Sequence, residues 1–468
     1  MQNHIGQQRK LGSTGLFCSP LGFGCYRINR GSKLHEASLR AYLDRGGNLI
    51  DTSANYTDGI SELLVGEVLR DYPRDRVIVV TKGGYIQGQN MQLARKHDFP
   101  EVVHYGEGIW HCIHPEFLQT QVQRSLERMK LDKIDVYLLH NPEYFLTEKQ
   151  HHGMPSNSDH EEFYRRVHEA FGFLETQVDM GIIGWYGVSS NNYGLPLSDP
   201  TMTSVSRCFE VARSVRRDHH FRVVQLPMNL YEYGGALESN NHGQTVLELC
   251  SKENLGVLIN RPLNAFTGHR MVRLADFVKS GEAACTPETL SSILKPLREH
   301  EQRLGVELQA PLAAGSGIAA LMEGLVPQLQ SSAHWEQVAS SHVLQPLQSW
   351  LQASQQCYSH DMRWRAWVED LIQIINPLFE EISRYLSARE QATSDSVRAG
   401  LFRAGYPKTE ESLSRMALNV LVNLPGLSCV LNGMRRPEYV EDAMGVPSLP
   451  PVDGLRILQD FSQLKLPL

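Results

Sequence analysis

The chain has 468 residues, of which 41% are hydrophobic and 21% are charged, and its formal net charge is −7 at pH 7. This composition is typical of a globular protein and excludes a disordered or collagen-like chain. With 45 Lys and Arg against 52 Asp and Glu, the sequence lacks the positive balance that nucleic-acid binding requires, so we expect no nucleic-acid partner.

Cysteines and apolar runs bear on the cellular compartment. The eight cysteines stand singly, without a Cys-x-x-Cys pair, as is typical of reduced thiols in a cytosolic protein. The start MQNHIGQQRKLGSTG lacks the apolar stretch of a signal peptide, and no apolar run reaches the length of about 18 residues that a membrane span needs. We therefore expect a cytoplasmic protein with no membrane partner.

Short apolar runs alternate with amphipathic segments from residue 20 to residue 260. Seven runs have the length of a strand: PLGFGCY (20–26), GNLIDTS (47–53), RVIVVTKG (76–83), KIDVYLLH (133–140), IIGWYGVS (182–189), RVVQL (222–226) and LGVLIN (255–260). The segments between them have apolar residues at helical spacing, for example Phe117, Val122 and Leu126. Strands and helices that alternate in this way predict a parallel sheet, and seven strands without an edge-like member favour a closed barrel.

An eighth strand and its helices come late in the chain. A helical pattern over 410–423 precedes the run LSCVLNG (427–433), and a helix that a proline begins follows at 435–444. One barrel of about 250 residues with an addition therefore fits the length better than three domains of about 150.

The addition lies between the seventh and eighth strands and carries helical patterns. One helix is expected from Pro287, with Thr286 as its cap, and another over 361–389 with a kink at Pro377. Its tryptophans stand at helical spacing and are expected to form its core or a docking face. The predicted division is a barrel portion at 1–280, a helical insertion at 281–405, and the completion of the barrel with a tail at 406–468.

Polar side chains stand at the carboxyl ends of the predicted strands, where barrel enzymes assemble their sites. Asp51 ends strand two, Tyr56 lies in the following loop, Lys82 ends strand three and His140 ends strand four. Each residue alone also has a structural interpretation, as a cap or a loop contact. A buried ammonium is costly unless a carboxylate compensates it, however, so Lys82 and Asp51 are expected to pair.

These four residue types suit proton transfer to a carbonyl oxygen. A tyrosine hydroxyl has an ordinary pKa of about 10, so we expect Lys82 and Asp51 to lower the pKa of Tyr56 and His140 to orient the substrate oxygen. No side chain donates hydride, so the reaction implies a nicotinamide cofactor. The predicted catalytic residues are Asp51, Tyr56, Lys82 and His140.

The opening LGSTGLFCSPLGFG and the motifs DTSANY, VTKGG, DVYLLHNP, YGVSSNN and NGMRRPEYVED, in that order, resemble the aldo-keto reductases. The resemblance covers roughly 10–280 and 405–445. It implies a (β/α)8 barrel with an N-terminal β-hairpin and a large helical insertion after strand seven. It also implies the reduction of aldehydes and ketones, or the oxidation of alcohols, with NADP(H) or NAD(H). The family's catalytic tetrad falls on the same four residues.

The resemblance further implies three groups of cofactor-binding residues. The nicotinamide carboxamide would be held by Ser189 or Ser190, with Asn191 and Gln225. The segment after strand seven contributes Arg261, Pro262 and Leu263. The adenosine and phosphate segment begins a helix, whose amino terminus suits an anion, and supplies Gly433, Met434, Arg435, Arg436, Tyr439 and Asp442.

Two departures from the family pattern affect the cofactor. Asn260 stands where many members stack an aromatic ring on the nicotinamide. Gly433, Tyr439 and Ala443 stand where NADP-specific members often have basic or polar residues, although Arg435 or Arg436 could bind the 2′-phosphate. We therefore favour NADP(H) only slightly over NAD(H).

The stretch HYGEGIWHCIHPEF (104–117) brings three histidines and Cys112 together. No second ligand pair follows at a usual spacing, so no metal is predicted, and the stretch is interpreted as a substrate-side loop with Tyr105 and Trp110 as pocket walls.

Three functions remain open from the sequence. The first is a reductase of a carbonyl or sugar substrate. The second is a cofactor-sensing binding subunit whose insertion docks a partner protein or a second copy. In the third, a bound but unconsumed nicotinamide supports isomerisation or elimination on a sugar-like substrate.

Overall fold

The computed structural model describes residues 8–267, 270–277, 287–307, 317–329, 331–358 and 360–466. The chain divides into two compact units. The larger unit runs up to Thr267 and includes Val272–Leu274 and the segment from Gly400 onward, while the smaller unit is mainly Ala275–Ala399. The expected cap Thr286 and the predicted boundary at 281 lie outside the described residues, and the division at 281 and 405 stays a prediction.

Eight parallel strands close into a barrel in the larger unit. They are β1 (Leu21–Gly24), β2 (Leu49–Asp51), β3 (Ile78–Gly83), β4 (Ile134–His140), β5 (Ile183–Ser189), β6 (Phe221–Pro227), β7 (Gly256–Asn260) and β8 (Cys429–Asn432). Neighbours in sequence are neighbours in the barrel, and β8 closes on β1 with Leu431 opposite Gly22. The predicted closed barrel is confirmed, as is the N-terminal hairpin of Arg9–Lys10 and Phe17–Cys18.

Helices connect the strands and cover the barrel. The first nine are α1 (Lys33–Asp44), α2 (Ile60–Leu69), α3 (Gly88–Ala94), α4 (Pro115–Met129), α5 (Tyr144–His152), α6 (Asn157–Asp179), α7 (Val205–Val215), α8 (Gly234–Leu237) and α9 (Val246–Lys252). Ser156 and Thr245 begin α6 and α9 with reciprocal capping boxes, which satisfy the free N–H groups of the first turn. In the described part of the chain, no helix has the length and hydropathy needed to cross a membrane.

The smaller unit is helical and has a core of its own. Its helices are α10 (Pro287–Glu307), α11 (Ile318–Leu325), α12 (Ser332–Val338), α13 (Gln345–Tyr358) and α14 (Met362–Arg403). Trp335, Trp364 and Trp367 are buried in this core, as the helical spacing of the tryptophans predicts. The predicted large helical insertion is therefore confirmed.

Helix α14 is longer than the sequence pattern indicates. It continues across Pro377 and ends at Arg403, so the predicted end at 389 is wrong. The polar stretch after Tyr385 contains no glycine or proline before Gly400, and Val397 and Leu401 restore a buried face beyond it. Helix-forming residues thus carry the helix past the end of the apolar stripe.

The barrel closes with α15 (Leu413–Val422), α16 (Pro437–Met444) and α17 (Gly454–Gln463). Two short antiparallel sheets were not predicted. One, after β3, joins Tyr85–Ile86, Val103–Gly106 and Ile109–His111, and the other, after β7, joins Asn264–Thr267 and Arg270–Arg273. Strands of two to four residues are too short to show an alternating pattern in sequence.

The packing of α2 against α4 depends on Gly66, where an added Cβ would lie 2.4 Å from the Met129 carbonyl oxygen. We expect Gly66→Ala to destabilise the protein by about 1–3 kcal/mol because the two helices must move apart. Gly172→Ala is the matched control, since a Cβ on Gly172 of α6 meets nothing within 4 Å, and it should stabilise by about 0.5–1 kcal/mol. Urea denaturation measures both, and equal effects would contradict this account of the contact.

Candidate active site

The ends of β2 and β3 position the proposed acid–base group. These strands are parallel neighbours with Asp51 opposite Val80, so Lys82, two residues further on, projects on the same side as Val80. Tyr56 follows β2 and begins a tight turn, Tyr56–Gly59, in which Thr57 and Asp58 have positive φ angles of 47° and 55°. The Thr57 hydroxyl donates to the Ile28 carbonyl at 2.8 Å, which ties this turn to the loop after β1.

The Lys82 ammonium is completely buried and has three acceptors. Its Nζ lies 2.7 Å from Asp51 Oδ2, 3.0 Å from the Thr52 carbonyl oxygen and 3.2 Å from the Tyr56 hydroxyl. Each N–H of the ammonium therefore has a partner, which is the condition for burying a charge. The predicted pairing of Lys82 with Asp51 is present in the structure.

A chain of hydrogen bonds runs from Asp51 across the barrel. Gln225 Nε2 donates to Asp51 Oδ1 at 2.8 Å, and Gln225 Oε1 accepts from the Ser189 hydroxyl at 3.0 Å and from Asn260 Nδ2 at 3.4 Å. Both polar ends of the Gln225 amide are thus engaged within the protein. Asn260, the residue in place of the family's aromatic ring, joins this network instead of forming a stacking surface.

His140 lies beside Tyr56, with their ring centroids 5.8 Å apart. The Ser53 hydroxyl is 3.0 Å from His140 Nδ1, and the His140 carbonyl is 2.7 Å from Nε2 of His111. Burial, followed by the charge of Lys82, holds the pKa of His140 well below its ordinary value. The ring is therefore neutral, and when Ser53 donates to Nδ1 the opposite nitrogen carries a proton that it can donate to a substrate oxygen.

Burial raises the pKa of Tyr56 to about 12, although Lys82 acts to lower it. The expectation that Lys82 and Asp51 together lower this pKa is therefore wrong. Asp51 raises the pKa of the phenol, and desolvation outweighs the effect of the ammonium. Tyr56 is consequently protonated at neutral pH, the form that a proton donor requires.

The two serines at the end of β5 point in different directions. Ser189 bonds Gln225, whereas the Ser190 hydroxyl lies 2.8 Å from the Thr203 hydroxyl and accepts from the Asn192 N–H. Ser189, Gln225 and the tetrad are thus brought together, and Ser190 supports the loop that follows. The Asn191 N–H donates to Glu143 Oε1 at 2.7 Å.

The segment after β7 begins with Arg261, whose φ is 54°. Arg261 Nη2 lies 2.7 Å from Glu232 Oε1, and its guanidinium lies over the ring of Phe266. Pro262 is buried, and the Leu263 carbonyl accepts the N–H of Leu274. The cofactor roles of Arg261, Pro262 and Leu263 stay predictions.

The predicted phosphate segment lies between β8 and α16. Arg436 is the N-cap of α16 and makes no side-chain capping bond, so it leaves N–H groups of the first turn for an anion. Gly433 and Arg436 are exposed, Arg435 is half-buried, Met434 is buried and Tyr439 is 41% exposed. Asp442 is held elsewhere, because its carboxylate accepts from Ser412 and Ser414 on the α15 side and pairs with Arg415 at 3.1 Å.

Sequence reasoning did not find Ser53, Glu143 or Tyr85. Ser53 lies within the motif DTSANY, and Glu143 directly follows the motif DVYLLHNP. The tertiary contacts that distinguish these two residues leave no periodic signal in the sequence. Tyr85 packs edge-on against His140 with centroids 4.7 Å apart and accepts from Asn141 Nδ2 at 2.7 Å.

The histidine-rich stretch after β3 has structural partners. His104 packs against Trp110, His111 bonds the His140 carbonyl, and His114 caps α4 by accepting the Glu116 N–H. Among the described residues, no group of three or more His, Cys, Asp or Glu side chains is arranged to hold a metal ion.

Comparisons with known proteins agree with this fold. The sequence profile of the aldo/keto reductase family matches residues 20–295. An NADH-specific methylglyoxal reductase of Escherichia coli is 30% identical over 138 residues, which are 28% of this chain and 40% of that protein. A probable voltage-gated potassium channel subunit beta of Oryza sativa is 33% identical over 147 residues, or 29% of this chain and 38% of that protein. These matches span less than half of either relative.

A solved glycerol dehydrogenase of Gluconobacter oxydans shares the fold, with a TM-score of 0.52 and 16% identity over 99% of this chain and 97% of that chain. Together with the family match, the closed barrel shows that the chain belongs to the aldo-keto reductase family. Members of this family are oxidoreductases that use NAD(P)H.

The Lys82–Asp51 pair should behave as a unit in stability measurements. Lys82→Met or Asp51→Asn alone leaves a buried charge without its partner, so each should cost about 3–5 kcal/mol of unfolding free energy. The double variant should cost much less than the sum of the two. Urea denaturation of the four proteins gives the coupling energy, and additive effects would contradict a direct buried pair.

Proposed function

We propose that this protein is a carbonyl reductase or alcohol dehydrogenase in which Tyr56 exchanges the proton. The observation that carries the proposal is the contact of Lys82 Nζ with both Asp51 and the Tyr56 hydroxyl beside a neutral His140. This arrangement gives one protonated hydroxyl, one cation to stabilise its anion, and one neutral ring to bind an oxygen.

The buried polar atoms around the site fit a nicotinamide dinucleotide. Asn260 Oδ1, Arg261 Nε and Glu143 Oε2 are buried without a hydrogen-bond partner in the described part of the chain. A ligand with both donors and acceptors would satisfy them. When bound, such a cofactor supplies or accepts the hydride, and Ser189, Asn191 and Gln225 would hold its carboxamide.

The residues of this chain then have defined tasks in the reduction. His140 donates a hydrogen bond to the carbonyl oxygen and orients it. The Tyr56 hydroxyl transfers its proton to this oxygen, and the Lys82 ammonium stabilises the phenolate that remains. The closed barrel excludes water below the site, since the strand residues beneath Asp51 and Lys82 are buried.

The proposed substrate is a small aldehyde or a sugar. Aromatic rings surround the tetrad: Tyr26 lies 5.2 Å from Tyr56, Tyr85 packs on His140, and Tyr144 lies 5.2 Å from Tyr85, all measured between centroids. Such rings with hydroxyl tips suit a small polyhydroxy molecule. The methylglyoxal reductase among the relatives is consistent with an aldehyde. Arg435 and Arg436 favour NADP(H) slightly over NAD(H).

We propose that the protein acts in the cytoplasm. Cys18, Cys25, Cys112, Cys208, Cys250 and Cys429 are free thiols buried in the larger unit. Unpaired cysteines in this number are typical of a reducing compartment.

Tyr56→Phe should reduce carbonyl turnover by at least about a hundredfold, because general acid catalysis contributes about 10²–10⁴ to the rate. Binding of NADPH, followed by fluorescence titration, should remain. A panel of small aldehydes and aldoses measures the rate. Unchanged turnover in this variant would contradict the assignment of Tyr56. The matched Tyr72→Phe variant should keep its activity, because Tyr72 follows α2 and its hydroxyl donates to Asp44, away from the tetrad.

A second candidate function is a cofactor-sensing subunit whose insertion docks a partner protein or a second copy. Two observations favour it: the helical insertion has a hydrophobic core independent of the barrel, and one relative is named as a potassium channel beta subunit.

Deletion of residues 285–400, with a short linker in their place, distinguishes the two candidates. If the insertion is an interface, NADPH binding and turnover should survive, while the mass of the assembly or its co-purifying partner changes. If turnover disappears from a folded barrel, the insertion serves the active site. Light scattering, cofactor titration and circular dichroism provide the three measurements.

A further inference from the structure

The Ser53 hydroxyl has one hydrogen and three neighbouring atoms that could accept it. Its Oγ lies 2.7 Å from Asn55 Oδ1, 3.0 Å from His140 Nδ1 and 3.3 Å from the Lys82 carbonyl oxygen. The Lys82 carbonyl already accepts the Ala54 N–H at 3.2 Å. The Ser53 hydrogen is therefore divided between Asn55 and His140, and it can go to only one of them at a time.

This choice decides which nitrogen of His140 carries the ring proton. Burial and the charge of Lys82 hold the pKa of His140 well below its ordinary value, so the neutral ring has one N–H group and one bare nitrogen. If Ser53 donates to Nδ1, the proton lies on Nε2, where it can bind a carbonyl oxygen. If Ser53 donates to Asn55 instead, His140 Nδ1 donates to Ser53 Oγ and leaves Nε2 bare. Only the first arrangement suits carbonyl reduction.

The His140 ring is held in place by its neighbours. Only 7% of the residue is exposed, and the ring packs edge-on against Tyr56 and Tyr85, with centroids 5.8 Å and 4.7 Å apart. A half turn of the ring would also put a C–H group in the place of Nδ1 and lose the hydrogen bond to Ser53. The tautomer therefore depends on the direction of the bond between Ser53 and His140.

The side chain of Gln87 orients Asn55. Asn55 Nδ2 donates to Gln87 Oε1 at 3.2 Å, which turns Asn55 Oδ1 toward Ser53. An amide oxygen and an amide nitrogen are similar in size, so a half turn of both amides reverses the bond between them and turns Asn55 Nδ2 toward Ser53. Both side chains are half-buried, so water can bind the groups that face away in either arrangement. Gln87, Asn55 and Ser53 thus form a relay with two complete hydrogen-bond patterns.

We propose that this relay sets the tautomer of His140, and that a carbonyl substrate binds to the pattern in which Asn55 Nδ2 faces Ser53. The inference rests on the proposed function, in which His140 donates a hydrogen bond to the carbonyl oxygen. Asn55 Oδ1 faces Ser53 in the structure, so carbonyl binding requires both amides to turn over. The three relay residues are positioning residues, because they act on the substrate through His140.

The first experiment compares Gln87→Glu with Gln87→Lys, which fix the relay in opposite directions. A carboxylate has only acceptors, so Asn55 Nδ2 must donate to it and Asn55 Oδ1 must face Ser53. An ammonium has only donors, so Asn55 Oδ1 must accept from it and Asn55 Nδ2 must face Ser53. We expect the kcat for reduction of a small aldehyde to fall about tenfold in Gln87→Glu, and to equal or exceed the wild-type value in Gln87→Lys.

The matched control for charge is Gln89→Glu. Gln89 is exposed and lies two residues after Gln87, outside the relay, so this variant should keep the wild-type kcat. An equal loss of kcat in Gln89→Glu and Gln87→Glu would show a general effect of charge and overturn the proposal. The same loss in Gln87→Glu and Gln87→Lys would show a merely structural role, which also overturns it.

The second experiment observes the tautomer directly by NMR of protein labelled with 15N in the histidine rings. A His140→Gln variant identifies the His140 signals, and the couplings distinguish the nitrogens, since Nε2 couples to two carbon-bound ring hydrogens and Nδ1 to one. Gln87→Lys should carry the proton on Nε2 and Gln87→Glu on Nδ1. Adding Ser53→Ala should abolish this difference, whereas Ser53→Thr, which retains a hydroxyl, should preserve it. One tautomer common to both Gln87 variants would overturn the proposal.

The failure of the proposed function has a different signature, because the NMR measurement does not depend on turnover. Predicted tautomers in a protein that reduces no aldehyde or aldose with either nicotinamide cofactor would refute the proposed function and leave the relay intact. An active reductase whose His140 tautomer is the same in Gln87→Glu and Gln87→Lys would refute the relay alone. Circular dichroism verifies that each variant is folded.

Discussion

The burial of one ammonium group constrains the whole candidate site. Lys82 has no contact with solvent, so its three N–H groups must all find acceptors among the residues at the barrel rim. Asp51 neutralises its charge, and this carboxylate in turn orients Gln225 from the opposite side of the barrel. The position of the Tyr56 hydroxyl follows from the same requirement, because it is the third acceptor. A barrel that did not close would expose this charge to water and release each of these side chains.

Much of the fold could be predicted because its signals are local and repeated. Eight apolar runs, each followed by a helical pattern, specify a parallel barrel, and the polar residue that ends each run must lie on one rim. The position of Lys82 follows from that logic. The short strands after β3 and β7 could not be predicted, since two to four residues have no period. The end of α14 could not be predicted, because the residues that extend this helix beyond 389 are polar helix formers and show no apolar stripe in the sequence.

The electrostatics of the site depended on burial, which the sequence does not specify. Lys82 acts on Tyr56 in the expected direction, but desolvation is the larger effect and reverses the net change in the pKa. The hydrogen bond between Glu143 and Asn191 could not be predicted either. The two residues are distant in sequence, and their contact depends on how the loops after β4 and β5 meet. Residue types at strand ends therefore predict which groups assemble, while their protonation follows only from the folded structure.

The left-handed turn after Tyr56 sets a compromise between stability and function. Thr57 adopts a left-handed backbone conformation that a β-branched residue seldom takes, at a cost of about 1–2 kcal/mol, whereas Asp58 beside it is a residue type that tolerates this conformation. Glycine at Thr57 would relieve this strain, but it would also remove the hydroxyl that anchors the turn to the Ile28 carbonyl. The Thr57 hydroxyl thus holds the turn that carries Tyr56, while the backbone conformation of Thr57 lowers the stability of the fold. Selection for thermostability and selection for turnover would therefore act on residue 57 in opposite directions.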